Sequence, residues 1–174
     1  MFTYRAMERI FDAGIIVRNQ AVLQQGVNAT VGELILLIKK LSYINIIPYY
    51  VYLPDLVPGC EHLRSTLAEG IELEKCIRGI TSGFNIPNLV CDLPGGGGKR
   101  HVASYEYYDR DNGISVWSAP FVKPDQLFTY FDPIHRLSKE AQQRWANPQE
   151  REAMMRAAMD GRAATTAAAA AAKR

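Results

Sequence analysis

The sequence predicts an α/β protein built on a parallel sheet. Up to residue 92 the predicted order is helix, strand, helix, strand, helix, strand, which is typical of parallel strands joined by crossover helices. The run 44–53 is rich in Ile, Tyr and Val and nearly unbroken, as in a strand buried on both faces. Of the 174 residues, 48% are hydrophobic, enough for one domain or a large piece of one. Three strands are too few for a doubly wound sheet or a closed barrel, so we expect further strands outside this sequence.

Capping signals and apolar spacing locate the helices of the first half. Thr30 and Glu33 form a capping box, as do Thr66 and Glu69, and each box can satisfy orphan backbone amides at a helix start. Apolar residues at helical spacing follow the first box. The predicted elements are a helix over 4–13, a strand over 15–23, a helix over 31–43, a strand over 44–53, a helix from Thr66 that ends before Gly79, and a strand over 87–92.

The second half changes character after a predicted hairpin. The strands of that hairpin, 102–108 and 114–119, flank an Asn-Gly pair that favours a tight turn. Ser138 begins an amphipathic helix, and Asn147 caps another that opens on a proline and has Gly161 as a candidate end. We therefore divide the chain into an α/β part with its β-hairpin extension, a helical extension and an Ala-rich low-complexity tail. The boundaries are 1–120, 121–162 and 163–174.

Composition and charge exclude several classes of protein. The net charge of +2 is too small for a nucleic-acid surface. The longest apolar runs are far shorter than the roughly 20 residues that span a bilayer, and the N-terminus lacks the features of a signal peptide. We therefore expect a soluble, cytoplasmic protein that binds neither nucleic acid nor membrane. Cys60, Cys76 and Cys91 match neither a disulfide framework nor a metal-ligand spacing, so we expect no metal site.

The sharpest local feature is the glycine run Gly95–Gly98 followed by Lys99, directly after a predicted strand. Consecutive glycines permit positive φ and close approach of a ligand, but a surface turn explains them equally well. A phosphate-binding P-loop is excluded because Leu93 and Arg100 stand where that motif needs Gly and Ser or Thr. A lysine buried beside such a loop would have a lowered pKa, and its amine could form a Schiff base with a carbonyl or with pyridoxal phosphate.

Two carboxylates follow predicted parallel strands. Asp55 and Asp92 each lie at the carboxyl end of a strand, the edge where α/β proteins bind ligands. Together they could hold a substrate ammonium or a metal, whereas each alone is better explained as a cap or turn former. Tyr50 and Tyr52 share one face of the preceding strand and could stack on a cofactor or pack in the core. Gln20 lies at the end of the first strand, as a cap or a ligand contact.

Several motifs occur in one register over about residues 5–120. They are Asn19–Leu23 (NQAVL), Gly26–Asn28 (GVN), Pro48–Asp55 (PYYVYLPD), Thr81–Phe84 (TSGF), and Pro94–Lys99 (PGGGGK), with Pro87 and Asp92 before the last. Together they resemble the lysine 2,3-aminomutase family of radical S-adenosylmethionine enzymes, and the block of four glycines and a lysine after an aspartate is the most specific part of the resemblance.

The resemblance implies a fold and a reaction. The family fold is a partial (β/α) barrel, of which this chain would be the C-terminal portion. The reaction moves the α-amino group of an amino acid to the neighbouring carbon. A [4Fe-4S] cluster cleaves S-adenosylmethionine to a radical that abstracts hydrogen from the substrate, and pyridoxal phosphate carries the migrating nitrogen. Full-length members are expected to be homo-oligomers.

The resemblance also assigns roles to residues of this chain. Lys99 matches the lysine that holds pyridoxal phosphate. Asp55 and Asp92 match the two carboxylates that bind the distal ammonium of a lysine substrate, and related glutamate mutases do not have two acids at these places. L-Lysine is therefore the first expectation for the substrate, and arginine or another cationic amino acid is the second. The cofactor-binding residues implied by the match are Lys99, Gly95, Gly96, Gly97, Gly98, Gln20 and Tyr52.

The sequence departs from the family pattern at its metal-binding motifs. The family binds its cluster through C-x-x-x-C-x-x-C, which is absent here, and Thr30 stands where some members have a zinc-ligating cysteine. Two hypotheses follow. The chain is either the C-terminal part of an aminomutase, inactive without an N-terminal radical half from the same reading frame or another chain, or a non-catalytic remnant that keeps the half-barrel.

Overall fold

Two sheets and the helices that pack on them make up the chain within residues 2–171, the part that the computed structural model describes. The elements in chain order are α1 (Phe2–Asp12), β1 (Val17–Val22), α2 (Val31–Tyr43), β2 (Ile46–Tyr52), α3 (Leu67–Ile77), β3 (Asn88–Leu93), β4 (Gly98–His101), β5 (Tyr107–Asp109), β6 (Ile114–Ala119), β7 (Lys123–Phe131), α4 (Lys139–Ala146) and α5 (Pro148–Ala171). The predicted α/β class is confirmed.

The first sheet has the strand order β1-β2-β3-β4. The pairs β1–β2 and β2–β3 are parallel, as the alternation predicts, while β4 runs antiparallel to β3. The sheet is thus mixed, and the strands of the described residues do not close a barrel. Helices α2 and α3 pack on β2 and β3 and bury Leu34, Ile38 and Leu67 with the apolar residues of the strands.

The expectation that 44–53 is buried on both faces is wrong for this structure. Within β2 only Pro48 and Val51 are buried, and the other residues of the strand are partly exposed. Helices α2 and α3 pack on the sheet, and Tyr50 and Tyr52 share one face of β2 on which both rings are partly exposed. The strand is therefore more apolar than its partial exposure in the described chain requires.

Both predicted capping boxes are present and begin helices where the sequence places them. In α2 the Thr30 hydroxyl accepts from the Glu33 amide while the Glu33 carboxylate accepts from the Thr30 amide. Thr66 and Glu69 form the same reciprocal pair at the start of α3. The two helices end at Tyr43 and Ile77, close to the predicted ends, because the apolar stripe and the cap act through local geometry.

Strands β4 and β7 are not anticipated by the sequence analysis. Residues 98 and 99 belong to the expected glycine loop and 100–101 to no predicted element, but 98–101 form an edge strand. Residues 123–131 lie in the stretch predicted to be a helical extension. Neither has a continuous alternation of apolar residues, because Gly98–His101 is largely polar and the first half of β7 is exposed. Pairing with a neighbouring strand, rather than local sequence, makes each of them a strand.

The second sheet, of strand order β5-β6-β7, is antiparallel and joins two parts of the core. Trp117, Phe128 and Tyr130 pack into the cluster under the first sheet, whereas Ile114 and Val116 pack against α4 and α5. The Tyr130 hydroxyl donates to the Pro54 carbonyl at 2.8 Å. The second sheet therefore supports the segment that follows β2.

Helix α5 passes through Gly161, the candidate helix end, and continues to Ala171. A Cβ atom at position 161 would lie 2.6 Å from the ring of Tyr107. The glycine is therefore explained by close packing of α5 on β5 rather than by a helix stop. The Ala-rich tail is helical up to Ala171, and its last three residues lie outside the described part.

Candidate active site

A cavity of about 290 Å³ lies at the carboxyl ends of the parallel strands. Its lining brings together all five single residues that the sequence analysis selects, from β1, β2, β3, β4 and the segment after β2. They are Gln20, Tyr52, Asp55, Asp92 and Lys99, with Val22 and Leu53 between them. A larger cavity of about 550 Å³, between α3, α4 and the β5–β6 turn, contains none of these residues.

Strand pairing places the lysine opposite one of the two carboxylates. In the antiparallel β3–β4 pair, Lys99 is the direct partner of Asp92. The Lys99 Nζ lies 3.3 Å from the Asp92 Oδ2, and both side chains are about two-fifths exposed, at 44% and 39%. The hairpin thus holds an ammonium and a carboxylate together at the cavity wall.

Tyr52 forms the floor of the cavity between Lys99 and Gln20. Its hydroxyl donates to the Gln20 Oε1 at 3.1 Å, a bond that joins the ends of β2 and β1. The Lys99 Nζ lies 5.7 Å from the centroid of the Tyr52 ring, at the outer range of a cation–π contact. The ring of Tyr50 meets that of Tyr52 edge-on, with centroids 5.6 Å apart. Tyrosine rings in edge and tilted contact therefore extend from the cavity along β2.

The environment of Lys99 raises the pKa of its amine, contrary to the lowered pKa expected from a buried glycine loop. The hydrogen bond to Asp92 is the main cause, followed by the charge of the same carboxylate, with smaller effects from Tyr52 and Asp55. Desolvation opposes the shift only weakly because the side chain remains exposed. Lys99 is therefore an ammonium at neutral pH in the described chain.

The glycine run forms the turn of the β3–β4 hairpin and does not line the cavity. Gly95, Gly96 and Gly98 have φ values of +78°, +87° and +73°, which side chains other than glycine rarely adopt. The Gly95 carbonyl accepts from the Lys123 Nζ at 2.9 Å. Backbone conformation accounts for three of the glycines, and the cofactor-binding role implied for the run stays a prediction.

The remaining glycine, Gly97, is buried against the second sheet. A Cβ atom there would lie 2.8 Å from the Leu93 Cβ and 2.9 Å from the Phe128 ring. The turn that aligns Lys99 with Asp92 therefore depends on close packing at Gly97.

Gly97→Ala should lower the free energy of unfolding by about 1–3 kcal/mol, as overpacking in a tight core does. Leu93 Cβ cannot move without its strand, so the hairpin must shift. Chemical denaturation measures the effect. Gly32→Ala, where a Cβ meets nothing within 4 Å, is the matched control and should stay within about 0.5 kcal/mol or stabilise the chain. Equal unfolding free energies for the two variants would contradict the packing account.

A second layer of buried polar residues, which the sequence analysis does not select, lies beneath the site. Arg64, only 2% exposed, donates to Glu61 and to the Phe131 carbonyl and lies over the Tyr130 ring. Asp132, also 2% exposed, accepts from the Leu67 amide at 2.7 Å. No motif marks them, because their burial and their contacts with Phe131, Tyr130 and Leu67 join residues distant in sequence.

The cysteines and histidines do not converge on a site. Cys91 is buried, and burial raises the pKa of its thiol, while Cys60 and Cys76 are exposed. Within residues 2–171 no three His, Cys, Asp or Glu side chains are grouped as metal ligands. Across the same residues, none of the helices has the length and apolar character to cross a membrane.

An amine and two carboxylates thus lie at the carboxyl edge of the sheet, where α/β proteins bind their ligands. No family model matches the chain. The sequence is 47% identical over 132 residues to the L-lysine 2,3-aminomutase of Acetoanaerobium sticklandii, covering 75% of this chain and 31% of that protein. It is 46% identical over 98 residues to the L-lysine 2,3-aminomutase of Clostridium subterminale, covering 56% of this chain and 24% of that enzyme.

The chain is also 36% identical over 94 residues to the glutamate 2,3-aminomutase of Clostridioides difficile, covering 54% of this chain and 22% of that protein. The resemblance to the lysine 2,3-aminomutase family is confirmed: this chain is a relative of those enzymes. It spans about a third or less of the length of these relatives.

Proposed function

We propose that this chain supplies the cofactor lysine and the ammonium-binding carboxylates of an aminomutase, an isomerase that moves the α-amino group of a cationic amino acid to the β-carbon. The observation that carries the proposal is the convergence of Gln20, Tyr52, Asp55, Asp92 and Lys99 on one cavity. The similarity to lysine 2,3-aminomutases supports it independently. L-Lysine is the first candidate for the substrate, and arginine is the second.

The Lys99 amine could bind the aldehyde of pyridoxal phosphate, but the described residues that line the cavity include no second cation to bind the phosphate. The Lys99 Nζ faces a cavity near the lower end of the roughly 300–1,000 Å³ usual for small-molecule sites. When bound, this cofactor supplies a conjugated ring that can carry the migrating nitrogen and delocalise an unpaired electron. Lys99 is the only cation among the described residues that line the cavity, so we infer that the phosphate is held by groups beyond that lining.

Tyr52 and Gln20 have a positioning role in this proposal. The hydrogen bond between them fixes the Tyr52 ring below Lys99, where an aromatic surface can stack on a planar cofactor. Gly95–Gly98 set the hairpin turn that brings the lysine to the cavity, and we retain them as cofactor-binding residues through their backbone.

Asp55 and Asp92 give the site its preference for a cation. The lining contains these two carboxylates and a single lysine, so its formal charge is −1. Two carboxylates bind a distal ammonium through charge-assisted hydrogen bonds and repel the side-chain carboxylate of glutamate. Asp92 already binds an alkylammonium in this structure, that of Lys99.

We infer that the [4Fe-4S] cluster and S-adenosylmethionine are bound by residues other than these 174, because the sequence has three cysteines and no C-x-x-x-C-x-x-C motif. The free edge of the first sheet favours the same view. Strand β1 ends the strand order, and its outer edge is unpaired among the described residues. A complementary radical half, in the same polypeptide or another, could extend the sheet there. Homo-oligomerisation of the complete protein remains a prediction.

A non-catalytic remnant is the second candidate function. In these 174 residues the cavity occurs without a C-x-x-x-C-x-x-C motif, and a remnant that keeps only the half-barrel would have the same residues. This candidate predicts an intact cavity without turnover in any assembly.

Incubation with pyridoxal phosphate, reduction with borohydride and peptide mapping should place the pyridoxyl group on Lys99. The expected reason is that the Lys99 amine faces the cavity, whereas Lys123 is hydrogen-bonded to the Gly95 carbonyl outside it. Lys99→Ala should remove the label, and Lys123→Ala, the matched control, should leave it. Equal labelling of exposed lysines, or none on Lys99 in a folded chain, would overturn the cofactor assignment.

A further inference from the structure

In this structure the Lys99 ammonium is bound to Asp92, one of the two carboxylates proposed to bind the substrate. Its ammonium lies 3.3 Å from the Asp92 carboxylate and 5.7 Å from the Tyr52 ring centroid, inside the cavity that Asp55 also lines. A primary alkylammonium held by a carboxylate over an aromatic ring is the contact that the terminal group of a cationic amino acid would make here. The Lys99 ammonium therefore occupies the position beside Asp92 and Tyr52 that a substrate ammonium would take.

We propose that in the free chain the Lys99 ammonium occupies the substrate-ammonium position, so that Asp92 becomes available to a cationic ligand only after Lys99 has given up its charge. This inference rests on the proposed function and concerns the order in which the site is filled. The cofactor aldehyde enters first, and the amino acid second.

The reaction of Lys99 with the aldehyde accounts for the release of Asp92. The ammonium first loses one proton to solvent. The neutral nitrogen then forms a double bond to the aldehyde carbon, and the aldehyde oxygen leaves as water with the two remaining amine protons. The imine nitrogen would keep at most one N–H, which the ring oxygen next to the aldehyde carbon of the cofactor would accept, and Asp92 would be without its partner. The Asp92 pair also opposes the first step, because it raises the pKa of the amine.

The charged groups around Lys99 are few and come from two neighbouring elements. Asp92 belongs to β3, and Asp55 follows β2, which also contributes the Tyr52 phenol. Strand β1 contributes only the uncharged Gln20 and Val22 to the lining. Removing the charge of Lys99 therefore changes the formal charge of the lining from −1 to −2 without disturbing another ion pair.

Binding of pentylammonium in the absence of pyridoxal phosphate tests the proposal. Lys99→Met should bind this probe on the order of tenfold more tightly than the native chain, as expected for one hydrogen bond between charged groups. Lys123→Met removes the same charge from a lysine outside the cavity and should change the dissociation constant by less than about twofold. Titration calorimetry measures the constants, and Lys99→Gln, a second neutral variant, should behave as Lys99→Met does.

Adding Asp92→Asn to Lys99→Met should abolish the gain in affinity. If Lys99→Met binds pentylammonium no more tightly than the native chain, or gains no more affinity than Lys123→Met does, the proposal that Lys99 occupies the ammonium position is wrong. Circular dichroism and thermal unfolding confirm that each variant is folded. Because no cofactor is present, this result is independent of the labelling of Lys99: unlabelled Lys99 would overturn the proposed function, whereas equal pentylammonium affinities would overturn only the order of filling.

Discussion

Asp132→Ala should lower the free energy of unfolding by roughly 2–5 kcal/mol, because it leaves one buried and one partly buried donor without an acceptor. The carboxylate accepts from the Leu67 amide at 2.7 Å and from the Tyr108 hydroxyl at 2.5 Å. The same hydroxyl accepts from the Ala68 amide at 3.2 Å. The start of α3 is thus tied to the second sheet, and loss of Asp132 should loosen the helix that precedes the Asp92 strand.

Denaturant unfolding of Asp132→Ala measures this loss. Asp125→Ala is the matched control, since Asp125 is an exposed aspartate on β7, and its replacement should cost less than about 0.5 kcal/mol. A loss for Asp132→Ala as small as that of the control would show that Asp132 does not hold the two layers together.

The ionisation of Asp132 adds a pH dependence with a definite sign. Burial raises the pKa of this carboxyl above its ordinary value, and the hydrogen bonds from Tyr108 and Leu67 only partly offset it. A raised pKa in the folded state means that the contribution of Asp132 to stability is full below the unfolded pKa, about 3.9, and decreases as pH rises through the folded value. Asp132→Asn does not titrate, so the native chain should lose stability relative to this variant across that window. A stability difference that is constant with pH would contradict the raised pKa.

Asp92→Asn and Asp55→Asn should each reduce kcat/KM for L-lysine by about 10- to 100-fold in a reconstituted aminomutase, the value of a hydrogen bond between charged groups. The assay combines this chain with the part of the Acetoanaerobium sticklandii enzyme that it does not match, under reducing and anaerobic conditions. Each carboxylate lines the cavity that would receive the substrate ammonium, and neither replacement changes the size of the side chain appreciably.

Asp125→Asn serves as the control for Asp92→Asn and Asp55→Asn, because it removes the same charge from an exposed position outside the cavity. Unchanged kcat/KM in Asp92→Asn and Asp55→Asn would exclude these residues from substrate binding. Absence of turnover from the native chain in this assay, with Lys99 still labelled by pyridoxal phosphate, would favour the non-catalytic remnant.

Local chemistry and topology explain why two helices and the meeting of Asp55 and Asp92 were predictable. A capping box is read within four residues, so Thr30 and Thr66 locate α2 and α3 from sequence alone. Alternation of helix and strand predicts parallel pairing, and parallel pairing brings the carboxyl ends of strands to one edge. Asp55 and Asp92 therefore meet at one cavity, although 37 positions separate them in the sequence.

Features that depend on distant partners were not predictable. Strand β4 exists because Gly98–His101 pairs with β3, and its polar sequence contains no strand signal. Gly161 is required by the Tyr107 ring on another element, and so its interpretation as a helix end is wrong. The buried Arg64 donates to the carbonyl of Phe131, which lies 67 positions further along the sequence.

The sequence by itself determined the α/β class, the two capped helices and the common edge of Asp55 and Asp92, because each depends on short-range patterns or on the topology that they imply. Gln20 and Tyr52 were selected through the family resemblance instead. The tertiary structure decided the state of Lys99. The sequence suggests a buried amine with a lowered pKa, whereas strand pairing sets the amine opposite Asp92 in an exposed cavity, where the carboxylate raises the pKa. Charge and desolvation act in opposite directions on a lysine, and only the distance to the carboxylate and the exposure of the amine determine which is larger.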